Sequence, residues 1–339
     1  MFLGIDIGTS GVKAVVLDEH GALAGQGSAP LTVSRPQPLW SEQNPDDWWQ
    51  ATSAAVMAIA PALRRAVRAV GLAGQMHCAT LLGADDQVLR PAILWNDGRS
   101  FAECAELEAS EPGSREITGN LAMPGFTAPK LLWVKHHEPV IFAQVHKVLL
   151  PKDYVRLCMT GEFASDLSDS AGTLWLDVAA RDWSDAMLAA GSLVRKQMPK
   201  LFEGSEITGK LRSEVASLWG MEQVPVVAGG GDNAAGAAGV GVVADGQALL
   251  SLGTSGGDFR GNRGLPAQSR RRGACLLPLP ARPVAPDGGA FIRRFLLRLG
   301  GAADRCERPR RSLHPGRSVR RGRRAGTVSA LSLGRAHAA

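Results

Sequence analysis

Residues 4–18, GIDIGTSGVKAVVLD, decide the fold. Apolar runs at 2–7 and 12–17 flank Gly8-Thr9-Ser10-Gly11, and a further alternating run follows DEHG at about 22–32. Short apolar runs parted by glycine-rich turn chemistry predict a strand, hairpin, strand meander. The turn has a second reading. Glycine lets a ligand approach the backbone, and the exposed N–H groups of Gly8, Thr9 and Ser10, the two hydroxyls and nearby Lys13 suit a phosphate. Asp6 ends the strand before it. A plain hairpin with a capping aspartate competes with this. The same four residues return at 253–256, again after an apolar run, ALLSL. Two strand-ended turns in one chain favour phosphate binding and add Gly253 and Thr254 to the candidates.

Outward from the meander, NPDDWW places Asn44 as a cap and Pro45 at a first helical position, predicting a helix over 46–66 that is interrupted near Pro61. A strand follows at 69–74, and further extended segments fall at 148–150 and 224–227. Alternating helices and strands predict an α/β domain with a largely covered sheet. A chain of 339 residues has room for two domains.

Three other stretches carry chemistry. In GGGDNAAGAAG a strand runs into three glycines and Asp232, which either caps a helix or stands in a cleft at the strand's carboxyl end as a base for a hydroxyl. The glycines exceed what a cap requires and suit close approach of a ligand. In LAGQMHCAT, Met76 and His77 lie just past another strand's end, and a lone histidine there has no assigned role by itself. LWNDGRS joins Trp95 to a polar turn, either a sugar-binding edge or an ordinary turn.

Charge divides the chain. Of 38 Lys and Arg residues 19 lie after Gly256, as do only 4 of the 32 Asp and Glu residues, so the first part is net −9 and the rest +15. No basic footprint for nucleic acid exists on the first 256 residues. Five cysteines, at 78, 104, 158, 275 and 306, share no metal-like spacing and predict free thiols in the cytoplasm. The opening MFLGIDIG lacks a basic leader, and the longest apolar run, 234–244, is too short for a membrane span.

In order, DIGTSGVK, GQMH, WNDGR, GFTAPKLLWV, LLPKDYV, GGGDNAAG and LSLGTSG make residues 1–256 resemble the FGGY family of carbohydrate kinases. The resemblance implies an actin-like, ribonuclease H-like ATPase fold, with a first kinase domain at 1–245 and the start of a second at 246–256. It implies transfer of a phosphoryl group from ATP to a ketose, D-xylulose foremost, with ribulose, fuculose or glycerol as rivals. Asp232 then matches the catalytic base, Asp6 the aspartate acting through Mg²⁺, Met76 and His77 the ketose-binding pair, and Asn233 a helper. Gly8, Thr9, Ser10, Lys13, Gly253 and Thr254 fall to the ATP phosphates. The implied partners are the sugar and ATP, without membrane or nucleic acid, and with a homodimer left open. The family continues through a second domain with a GGGA turn, which residues 257–339 lack. Their Arg/Gly/Pro/Ala bias is expected of GC-rich coding DNA read out of frame, the alternatives being a natural disordered basic tail or an RNA-binding extension, which would make the chain a non-catalytic nucleic-acid-binding protein. On the out-of-frame reading the second domain is missing or replaced by an irregular tail, and the chain is weakly active or inactive.

Overall fold

The opening meander forms as its alternation requires. β1 (Phe2–Ile7), β2 (Gly11–Leu17) and β3 (Leu23–Pro30) pair antiparallel in succession, with Ile7 opposite Val12 at the GTSG turn. In β1 and β2, Leu3, Ile5, Ile7, Val12, Ala14 and Val16 are fully buried, which fixes the register because a one-residue slip would expose them. The computed structural model describes residues 1–244, 246–252 and 256–260. The expectations for Gly253, Thr254 and residues 261–339 lie outside them.

The predicted helix is two helices, α1 (Pro45–Met57) and α2 (Pro61–Arg65). Asn44 caps α1 by accepting the Asp46 N–H, and Pro61 opens α2 because it cannot donate to the preceding turn. α1 covers the meander with Trp48, Ala55 and Val56 inward. Chain reversal then brings strand Val70–Gly74 beside β1 in parallel, Ile7 level with Gly74. A seven-stranded sheet results, in the order Ile207–Lys210, Pro225–Val227, Val70–Gly74, β1, β2, β3, with the short strand Gly230–Gly231 also on Val70–Gly74. A second apolar core, including Leu131, Leu132, Trp133, Trp175 and Trp183, gathers around helix Thr127–His137.

One irregularity sets the direction in which the chain leaves this sheet. Val226 pairs Val70 and Gly230 pairs Ala73, so four steps along one strand match three along the other. The extra residue is a bulge, a device that bends a strand and re-aims the side chains after it. Gly229 adopts φ +77°, and a Cβ on it would lie 1.9 Å from the Leu72 carbonyl oxygen. This revises the sequence reading of the glycine run: Gly229 is required by strand packing, not by a ligand.

At the other end, Ala248–Leu252 and Gly256–Arg260 pair antiparallel, Leu252 opposite Gly256. The second strand runs to Arg260, past Gly257, where the sequence offered no regular element, because backbone pairing to Ala248–Leu252 imposes it.

Gly229→Ala tests the bulge. The left-handed backbone and the contact with Leu72 together are expected to cost about 3 kcal/mol, from ~1–2 for the conformation and ~1–3 for overpacking. Urea unfolding measures it, and a loss under about 1 kcal/mol would contradict the packing account.

Candidate active site

Three strand ends meet at one level. Ile7 and Gly231 both stand beside Gly74, so the segments that leave these strands, Gly8–Ser10, Gln75–His77 and Asp232–Asn233, emerge together at the carboxyl edge of parallel strands. Such an edge is where open α/β sheets bind ligands.

Asp232 is the first residue of helix Asp232–Gly239 and does not act as its cap; Gly231 holds that position. Its Oδ1 accepts the Asn233 N–H at 2.7 Å. The carboxylate reaches solvent, yet desolvation in the cleft, then the charge of Asp6, raise its pKa to about 6. Asp6, at the end of β1, is itself raised by burial against the opposing pull of Lys13, its cross-strand neighbour. Asp6 Oδ1 is buried without a hydrogen-bond partner. Two carboxylates that disfavour each other's charge, one with an orphaned oxygen, fit a bridging cation. Among the described residues no group of three or more His, Cys, Asp or Glu could cage one, so Mg²⁺ would rest on one or two carboxylates, water and substrate phosphates, its usual arrangement.

The phosphate turn uses its hydroxyl differently from the sequence reading. Thr9 Oγ1 donates to Gln75 Oε1 at 2.8 Å and accepts the Trp95 indole N–H at 3.0 Å. Gln43 joins them, its Nε2 donating to the Thr9 carbonyl at 2.7 Å and its Oε1 accepting from Gln75 and Trp48, each at 3.0 Å. The Thr9 side chain is thus a structural tie. Among the described residues no acceptor takes the Thr9 and Ser10 N–H groups, which remain for an anion, while Ser10 and Lys13 are exposed.

His77 adopts φ +69°, a left-handed conformation uncommon outside glycine. Its carbonyl is held by Thr127 Oγ1 at 3.1 Å and Lys130 Nζ at 3.0 Å. Lys130 is wholly buried, also donates to the Gly125 carbonyl at 2.7 Å, and is pushed down by burial to about 8. The ring's Nδ1 lies 2.7 Å from the Gly172 carbonyl, which makes Nδ1 the protonated nitrogen and leaves Nε2 an acceptor or bare. Met76 is buried; its sulfur lies 3.8 Å from Asn233 Nδ2 and packs under Gly231. It shapes the floor of the site from below. Gln43, Gln75, Thr127, Lys130, Ser168 and Gly172 had no role in the sequence reading, though the GFTAPK stretch containing Thr127 and Lys130 stood out as a motif.

Residues 1–239 match the model of the FGGY family of carbohydrate kinases, N-terminal domain. The chain is 66% identical over 265 residues to a xylulose kinase of Escherichia coli (strain K12), covering 78% of this chain and 55% of the relative. Against a xylulose kinase of Bacillus subtilis (strain 168) identity is 40% over 259 residues, covering 75% and 52%. The crystal structure of a xyloylose kinase from Brucella ovis superposes with TM-score 0.73 at 55% identity, covering 76% of this chain and 54% of that one. The chain spans about half the length of the curated relatives it matches. Among the described residues no helix is long and apolar enough to cross a membrane.

Burial first and Lys130 second lower the His77 pKa to about 4, against the Gly172 hydrogen bond. The unfolded chain therefore binds a proton at His77 between about pH 6.5 and 4 that the native state refuses, and this contribution to stability is lost as pH falls through that window. His77→Gln is expected to weaken the decline. Urea midpoints for both proteins at pH 7 and pH 5 measure it, and equal declines would place His77 in water.

Proposed function

The chain belongs to the FGGY family of carbohydrate kinases, its described part having the actin-like ATPase fold of that family's N-terminal domain, and we propose that it is the sugar-binding half of a xylulose kinase. The reaction is transfer of the γ-phosphoryl group of ATP to the terminal hydroxyl of D-xylulose. The observation that carries this reading is the meeting of Asp6, His77 and Asp232 at one strand-end level, in a chain 66% identical to a xylulose kinase.

Phosphoryl transfer asks a protein mainly for positioning, charge neutralisation and one base. Asp232 is that base. With its pKa raised to about 6 it is ionised at neutral pH yet basic enough to take the proton of the attacking hydroxyl. The neutral ring of His77 offers Nε2 to a sugar hydroxyl as acceptor, Asn233 offers its amide, and Met76 supports both from beneath. On the phosphate side the free N–H groups of Thr9 and Ser10, with Gly8 allowing close approach and Lys13 near the turn, receive the anion. Mg²⁺, when bound, neutralises phosphate charge, and Asp6 is the residue to hold it through water. Gly253 and Thr254, expected from the sequence to meet the ATP phosphates, lie outside the described residues, and use of ATP places the reaction in the cytoplasm.

Titration calorimetry on the chain, and a coupled ADP-release assay on a version continued in frame through the second domain, each against D-xylulose, ribulose, fuculose and glycerol, test the substrate. D-Xylulose is expected to bind tightest, and preference for another member would reassign it. In a version of the chain continued in frame through the family's second domain, Asp232→Asn is expected to leave D-xylulose affinity within about threefold while lowering turnover by about 10²–10⁴, the usual worth of a positioned base. Near wild-type turnover in that variant would reduce Asp232 to a helix-end residue.

A further inference from the structure

Beneath the candidate site lies a cluster that the proposed chemistry does not use. Lys152, Asp153, Arg156, Asp166 and Asp169 are all wholly buried. Lys152 Nζ lies 2.7 Å from Asp153, 2.7 Å from Asp166 and 3.1 Å from Asp169, and Arg156 is 3.5 Å from Asp153. Burial, reinforced by Asp166 and Asp153 and opposed by Lys152, holds Asp169 well above the usual carboxylate range. Two cations thus stand among three aspartates. Burying such groups costs several kcal/mol per ion, and apolar replacement of buried ion pairs is often neutral or stabilising, so stability is a poor account of the cluster.

Its outward contacts supply a better one. Arg156 donates to the carbonyls of Val227, at 2.8 Å, and Ala228, the residues of the bulge. Asp166 Oδ1 accepts the N–H groups of Ser168, at 2.8 Å, and Asp169, at 3.1 Å, together with the Ser168 hydroxyl. With its proton committed to Asp166, Ser168 Oγ presents lone pairs, and the Gly231 N–H donates to it at 3.3 Å. Four residues on, the Gly172 carbonyl accepts from His77 Nδ1. A Cβ on Gly172 would lie 2.5 Å from His77 Cε1 and 3.2 Å from Met76 Cε.

We propose that residues 166–173 are the positioning element of the sugar site, Ser168 fixing the Gly231–Asp232 junction and Gly172 fixing the ring of His77, both anchored by the buried cluster. The assignment of a sugar to this site rests on the kinase reading. The positioning itself is a property of the chain without ligand. Ser168 and Gly172 are positioning residues that act through Asp232 and His77.

The test uses the 339-residue chain. Ser168→Ala is expected to raise the exchange rate of the Gly231 amide at least tenfold by hydrogen–deuterium exchange, with the Val70–Gly74 amides unchanged, and to weaken D-xylulose binding by about fivefold or more. Ser168→Thr, which keeps the hydroxyl, should restore both. Gly172→Ala should shift the ¹⁵N signals of the His77 ring away from the Nδ1-protonated form and weaken D-xylulose binding at least tenfold, with Gly231 exchange as in wild type. Unchanged Gly231 exchange in Ser168→Ala, or unchanged His77 signals in Gly172→Ala, overturns the proposal. So does altered exchange with D-xylulose affinity intact. A wild-type chain that takes up no D-xylulose instead overturns the kinase reading, and the Gly231 exchange and His77 signals then decide the positioning role alone.

Discussion

A single extra residue in one strand determines where Asp232 stands. Side chains alternate faces along a strand, so the step added between Val226 and Gly230 inverts the direction of everything after it. Without the bulge, the carboxylate of Asp232 would leave the sheet on the opposite face from its present one, away from Asp6. The carbonyls of Val227 and Ala228 at the bulge accept from the guanidinium of Arg156, and that bonding explains a fully buried arginine: five donors in a fixed fork can satisfy two displaced carbonyls and still face Asp153. The arginine in turn requires counter-charge, which draws in the aspartates around Lys152. Geometry at the strand and the ionic cluster below it are one arrangement.

Electrostatics at the upper surface follow from the same register. Because Ile7 and Gly231 share the level of Gly74, Asp6 and Asp232 approach closely enough for each charge to oppose the other. A pair of this kind leaves one group basic near neutrality, the condition for a general base, and makes the space between attractive to a cation. His77 is treated in the reverse sense: burial and Lys130 keep it neutral, so its Nδ1 donates to the Gly172 carbonyl without adding charge.

Much of this is legible in the sequence where the signal is local. The alternation in residues 2–17, the Asn44 and Pro45 helix start, the break at Pro61 and the strand before Gln75 all appear as read, because each depends on neighbours within a few residues. Asp232 could be picked out as a candidate for the same reason, whereas His77 had no role by itself and gained one only through the family resemblance. What stayed hidden depends on partners distant in the chain. Nothing in GGGD distinguishes a glycine needed for a ligand from one needed because Leu72 passes beneath it. The DLSDS run around Ser168 reads as polar loop chemistry, and only folding brings it under Gly231, 63 residues on. Lys130 sits in an apolar helix, and its two carbonyl acceptors lie on separate loops.

The Thr9 tie shows how these distant contacts alter the local reading. A threonine in a glycine-rich turn suggests a hydroxyl offered to phosphate, but here Gln75 and Trp95 occupy it. Gln75 precedes Met76 and His77, and Trp95 belongs to the loop after another strand, so the hydroxyl joins the turn to two other segments through two bonds. The turn keeps only its backbone N–H groups for an anion, and these are fixed in direction because Gln43 also holds the Thr9 carbonyl. A serine or valine at position 9 would fit the hairpin as well, yet valine would leave the Gln75 carbonyl and the Trp95 N–H without their shared partner. The hairpin alone therefore does not account for a hydroxyl at position 9; the tie from Gln75 to Trp95 does.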